Sequence, residues 1–161
     1  MGFQKILAGE TDTNSPLNQA LMDKIRENFD YLAENMVLAC QDAEVNSTLG
    51  GGTWQTVKTG NIFVPSFVSG LTFRVESYYS YEASGRKLRI KVEDGAGGHN
   101  VSGEETAPAN AYDYRSFTVP GSGAFSGAGA WCRFYVESKH EDVLDRDIIM
   151  RTVVCKVETI R

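Results

Sequence analysis

Apolar and polar positions alternate with a period of two over most of the last two thirds of the chain. In LTFRVESYYSY, Leu71, Phe73 and Val75 fall on one side and Thr72, Arg74 and Glu76 on the other, the pattern of a half-buried strand. KLRIKVE repeats it with Leu88, Ile90 and Val92, and the intervening ASGR reads as a tight hairpin turn. Further strands are predicted over 54–58, 112–119, 130–137 and 148–160. Short alternating segments with Gly-rich turns and no interposed helix predict a mainly β chain, built as an antiparallel β-sandwich or jelly-roll-like domain. Residues 94–111 and 120–130 read as long loops. The first has no apolar face and is expected to be exposed.

The first third carries a different period. Ser15 is suited to cap a helix and Pro16 to open it, because proline lacks the amide that a first turn leaves unpaired. Met22, Ile25, Phe29, Leu32, Met36, Ala39 and Ala43 then follow at alternating spacings of three and four, a heptad pattern. Asp23, Lys24, Arg26, Glu27, Asp30 and Glu34 fall off that seam. The pattern predicts a long amphipathic helix over 15–44, a Gly-rich linker over 45–53 and a β-domain over 54–161. Residues 1–14 read as an extended arm in which Phe3, Ile6 and Leu7 form an anchoring patch. The stripe is read as a self-association seam; the alternative is a helix packed on its own domain or on another partner. Phe29 and Met36, where a dimeric seam favours β-branched residues, turn the oligomer expectation toward a trimer.

Composition narrows the partners. The chain has 161 residues with 42% hydrophobic content, enough for a packed core. A net charge of −5 argues against a nucleic-acid partner, and no apolar run is long enough for insertion in a membrane. The short apolar stretch of MGFQKILAGE does not read as a signal peptide, and Ile6 stands where N-myristoylation wants Ser or Thr. Assembly in a cytoplasm is therefore expected. Cys132 alternates with Phe134 and Val136, and Cys155 with Val153 and Val157. These two read as buried thiols, or as a disulfide between adjacent strands.

The chain shows no nucleophile-elbow, zincin or phosphate-loop motif, so no catalytic residue, metal ligand or cofactor is assigned and no enzymatic activity is expected. KVEDGAGGHN lacks the alternating acidic ligands of a calcium loop. Tyr78, Tyr79, Tyr81, Tyr112, Tyr114, Trp54 and Trp131 could together form a sugar-stacking platform, although strand aromatics also serve as core or cross-strand partners. Tyr78, opposite the Phe73–Val75 face, is the candidate for surface binding.

The stretch TDTNSPLNQALMDKIRENFDYLAENM, within residues 9–36, resembles the N-terminal segments of tailed-bacteriophage virion appendage proteins: fibres, collar or neck proteins, and head decorations. In those, an acidic arm leads through an SPL helix start into KIRxN-like helix and then a small β-domain. The resemblance implies a non-enzymatic structural protein located in a virion. It would form a homo-oligomer through its N-terminal helix, bind other virion proteins and face its β-domain outward. The alternative is a receptor- or glycan-binding module of such a particle, with a host-surface glycan as partner.

Overall fold

The computed structural model describes residues 5–6, 19–34, 36–49, 52–66, 68–79, 85–120, 129–140 and 146–160. One helix, α1 (Gln19–Glu34), is followed by ten strands: β1 (Val37–Gln41), β2 (Val45–Leu49), β3 (Gln55–Val64), β4 (Val68–Tyr79), β5 (Arg86–Asp94), β6 (His99–Val101), β7 (Glu105–Thr106), β8 (Asp113–Pro120), β9 (Ala130–His140) and β10 (Arg146–Ile160). They form two antiparallel five-stranded sheets. In the first, the order is β1-β10-β4-β8, with β2 also on β10. In the second it is β3-β9-β5-β6, with β7 also on β5. The expected β-sandwich is the fold.

The period-two reading identifies the core faces correctly. Leu71, Phe73 and Val75 of β4 and Phe117 and Val119 of β8 are buried from one sheet. Leu88, Ile90 and Val92 of β5 and Cys132, Phe134 and Val136 of β9 are buried from the other. Phe73 and Phe134 meet across the sandwich with ring centroids 5.4 Å apart. Gly60 is required beneath that contact, since a Cβ there would lie 2.6 Å from the Phe134 ring. In β10 the buried set runs Ile148, Met150, then Val153, Cys155, Val157. A bulge between Met150 and Val153 restores the inward phase after one extra residue.

Several boundaries differ from the sequence reading. The helix predicted over 15–44 ends at Glu34, and the proposed linker contains a strand. β1 and β2 lie end to end along the edge of β10, pairing Ala39 with Cys155 and Ile149 with Asn46. Leu38, Ala39 and Val45 pack against the core. Helical spacing in this stretch loses to two gains a helix could not supply: strand hydrogen bonds on β10 and burial of those three side chains. Ser15, Pro16, Phe3 and Leu7 lie outside the described residues, and Ile6 is half-buried.

β4 and β5 do not pair as the hairpin expected across ASGR, because they belong to different sheets. The expected loop over 94–111 instead supplies β6 and β7 to the edge of β5, buries Ser102 and places Ala107 in the core. It then passes to the opposite sheet, where the Tyr79 amide donates to the Pro108 carbonyl (3.0 Å) and Asn110, at φ 57°, donates to the Tyr79 carbonyl (2.8 Å). Backbone pairing holds this segment down where side-chain hydrophobicity does not. Cys132 and Cys155 are buried free thiols on opposite sheets, while Cys40 is exposed. Burial pushes both buried thiols up from their ordinary pKa.

Candidate functional site

Because Cys132, Phe134 and Val136 of β9 face the core, strand alternation turns Trp131, Arg133 and Tyr135 outward. The β3–β9 register sets Phe63 beside Trp131 and Asn61 beside Arg133, while the β5–β9 register sets Glu93 beside Arg133 and Lys91 beside Tyr135. Trp131 is 69% exposed, the most open of the described large hydrophobic side chains. Phe63 meets it edge-on at 5.7 Å. Two neighbouring aromatics at one end of a sheet face stabilise each other across the strands, yet leave apolar surface in water, which makes them a candidate contact surface.

A cleft of about 320 Å³ opens beside this pair, lined by Asn61, Glu93, Asp94, Gly95, Trp131, Arg133 and Tyr135 among others. The charged groups of the face are largely tied to one another. Lys91 and Glu93 form an ion pair at 2.7 Å, and that carboxylate is the main reason the Lys91 pKa is raised. The Lys91 ammonium lies 5.0 Å from the Tyr135 ring centre. Farther along, Arg89 pairs with Glu137 at 2.7 Å, and the Trp54 ring carries Arg89 at 4.1 Å and Lys139 at 5.0 Å. Arg133 donates to the Asn61 side-chain oxygen at 3.5 Å. Asp94 is occupied by its own hairpin: one carboxylate oxygen accepts the amides of Ala96 (2.9 Å) and Gly98 (2.8 Å). Such an arrangement suits binding. Flat apolar rings are bordered by an amide, a guanidinium and paired carboxylates that offer hydrogen bonds to a hydroxyl-rich ligand.

A second aromatic cluster lies on the outer face of the other sheet. Tyr78 is half-buried there against Tyr112, with ring centroids 5.2 Å apart. Arg151, tied to Glu44 at 2.8 Å, covers the Tyr112 ring at 3.5 Å, and Arg74 lies 4.7 Å from the Tyr114 ring centre. The predicted contact residue Tyr78 therefore sits among tyrosines whose faces are already occupied. Tyr79 is a core residue bonded to His140 Nε2 at 2.8 Å, and Tyr81 lies outside the described residues. Sequence reasoning grouped Trp54 and Trp131 with these tyrosines. The sheets separate them, and Phe63, Asn61 and Arg133 join Trp131 instead. Their signal in the sequence is the alternation of NIFV and AWCRFY, which puts Asn61, Phe63, Trp131 and Arg133 off the buried faces.

The predicted seam is divided as well. Met22, Ile25, Phe29 and Leu32 form one stripe on α1, and all four are 42–58% exposed. Met36 follows the helix, its carbonyl accepting from the Val157 amide at 3.2 Å, and Ala39 lies in β1. These two do not belong to the helical stripe, because the chain turns into β pairing at that point. α1 packs on β10, and among its described side chains the buried ones are Leu21 and Asn28, outside the apolar stripe.

No protein-family model matches the chain, and no curated protein matches it in sequence. Solved structures share its fold. The C-terminal domain of EclA, a sugar-binding protein, is 13% identical, with 96% of this chain and 100% of that one covered at a TM-score of 0.48. Xylanase10C from Cellvibrio japonicus, solved with xylopentaose, is 10% identical over 76% of this chain and 28% of its own, at a TM-score of 0.50. The enzymatically active domain of tailspike protein 4 from bacteriophage CBA120 is 10% identical over 80% of this chain and 20% of its own, at a TM-score of 0.37. At 10% identity and a TM-score of 0.50, the likeness to Xylanase10C is one of fold alone.

Proposed function

We propose that this chain is a non-enzymatic carbohydrate-binding module, and that the outer face of the β3-β9-β5-β6 sheet is its binding surface. The observation that carries the reading is the Trp131–Phe63 pair, open to solvent beside a polar-lined cleft. A sugar ring presents C–H groups on its face and hydroxyls at its rim, which complements a flat aromatic bordered by Asn61 and Arg133. The carboxylates of Glu93 and Asp94 are engaged by Lys91 and by hairpin amides, which suits holding a ligand better than proton transfer. The fold likeness sets the ligand class to test first and supplies no residue of the site. On a glycan array, the wild-type chain is expected to retain a defined set of sugars. Trp131→Ala should weaken binding at least tenfold, about 1.4 kcal/mol. Its melting temperature should stay within a degree or two, because the ring is exposed. Retained binding by the variant would remove this face from consideration, and an array with no retained sugar would end the glycan reading.

A second reading concerns assembly, and the exposed stripe of α1 favours it. The chain is proposed to self-associate, as a trimer, through Met22, Ile25, Phe29 and Leu32, within a virion appendage of the kind its N-terminal stretch resembles. The helix is about 24 Å long at 1.5 Å per residue over 16 residues, and the stripe from Met22 to Leu32 covers only about 15 Å of it. Packing on β10 already holds the helix, so association would not bear the cost of forming it. Ile25→Asp with Leu32→Asp should convert the oligomer to monomer in light scattering, with little change in the far-UV spectrum. A wild-type chain that is monomeric at high micromolar concentration would refute this assembly.

A further inference from the structure

Resting on the glycan reading above, we infer that the ligand is an extended, uncharged oligosaccharide lying along β9, several sugar units long. Three features of the sheet face support this. First, the side chains of β9 that point away from the core form one line: Trp131, Arg133, Tyr135, Glu137 and Lys139, of which Glu137 is buried beneath its neighbours. At about 3.3 Å per residue, Trp131 and Tyr135 stand about 13 Å apart, a span no single pyranose ring bridges. Second, the polar groups are distributed along this line on both flanks, with Asn61 and Phe63 on β3 and Lys91 and Glu93 on β5. A single ring on Trp131 would leave Tyr135 and Lys91 untouched. Third, most charges of the face are held by neighbouring groups. Arg89 and Lys91 are ion-paired with Glu137 and Glu93, Arg133 donates to Asn61, Lys87 donates to Thr106, and the Asp94 carboxylate accepts hairpin amides. A polyanion would have to displace these contacts, and a chain of net charge −5 would repel it at a distance.

The test is calorimetry on the full chain. The probes are cello-, xylo-, manno- and galacto-oligosaccharides of two and six units, together with polygalacturonate. One neutral hexasaccharide is expected to bind at least tenfold more tightly than its disaccharide. That affinity should change less than twofold between about 50 and 500 mM NaCl, where screening would erase a charge-driven contact. Tyr135→Ala should weaken the hexasaccharide and leave the disaccharide unchanged, whereas Trp131→Ala should weaken both. Equal affinity for two and six units, with both still dependent on Trp131, would overturn the extended ligand while leaving the site itself standing. Preference for polygalacturonate with strong salt sensitivity would overturn the uncharged ligand. Failure of every probe to bind would count against the site reading, and the inference would fall with it.

Discussion

Replacing Lys58 with methionine is expected to lower the melting temperature by about 5–15 °C, a loss of about 2–4 kcal/mol. Lys58 lies on β3 yet is buried, and its ammonium donates to the carbonyls of Gln41 (3.3 Å), Ala43 (2.7 Å) and Arg151. It thus ties one sheet to the β1–β2 turn and to β10 of the other. Burial lowers its pKa, and the nearby Asp42 carboxylate works in the opposite direction. Methionine keeps most of the side-chain volume and removes the donors. Carbonyls that lose such a donor cost about 1–3 kcal/mol each where water does not reach them. Relief of the desolvated charge offsets part of that. Calorimetric melting of both proteins at neutral pH checks the expectation. A shift under 2 °C would mean that the three carbonyls find other partners and that the ammonium does not join the sheets.

Removing residues 1–51 is expected to leave a chain that aggregates or melts without cooperativity, whereas removal of residues 1–35 should leave a folded monomer. The shorter truncation takes away α1 and with it the exposed stripe. The longer one also strips β1 and β2 from β10, exposing the hydrogen-bonding edge of a 15-residue strand. It uncovers the core beside Leu38, Ala39 and Val45, and removes the Gln41 and Ala43 carbonyls that hold Lys58. Burying a Val or Leu side chain contributes about 1.5–3 kcal/mol when complete. Partial burial of Leu38 and Val45, with a smaller share from Ala39, plus the Lys58 contacts then amounts to a substantial part of the roughly 5–15 kcal/mol by which a domain is stable. Size-exclusion chromatography and thermal melting of the two truncations separate the cases. If residues 52–161 alone melted cooperatively at the temperature of the full chain, β1 and β2 would be accessory.

What the sequence determined by itself is local. Alternation in LTFRV, KLRIKV and CRFYV identified strands and the side of each that faces the core, because side-chain direction in a strand depends only on position parity. The same parity placed Trp131 outward before any partner strand was known. Partnership required the tertiary structure. β4 and β5 look like a hairpin in sequence, yet they join different sheets, since the connection between them carries no information about which edge each strand finds. Residues 37–44 continue the helical spacing and 45–49 read as linker, but the long-range partner β10 offered hydrogen bonds and apolar burial that outweighed both readings. On the sequence alone Tyr78 is the contact candidate and Trp131 one of several aromatics grouped with it. Arg151 and Tyr112, brought from distant segments, occupy the first cluster, while Phe63 and Asn61, set by the β3–β9 register, complete the second. Exposure of an aromatic depends on neighbours far away in the chain, and only the packed sheets decide which neighbours those are.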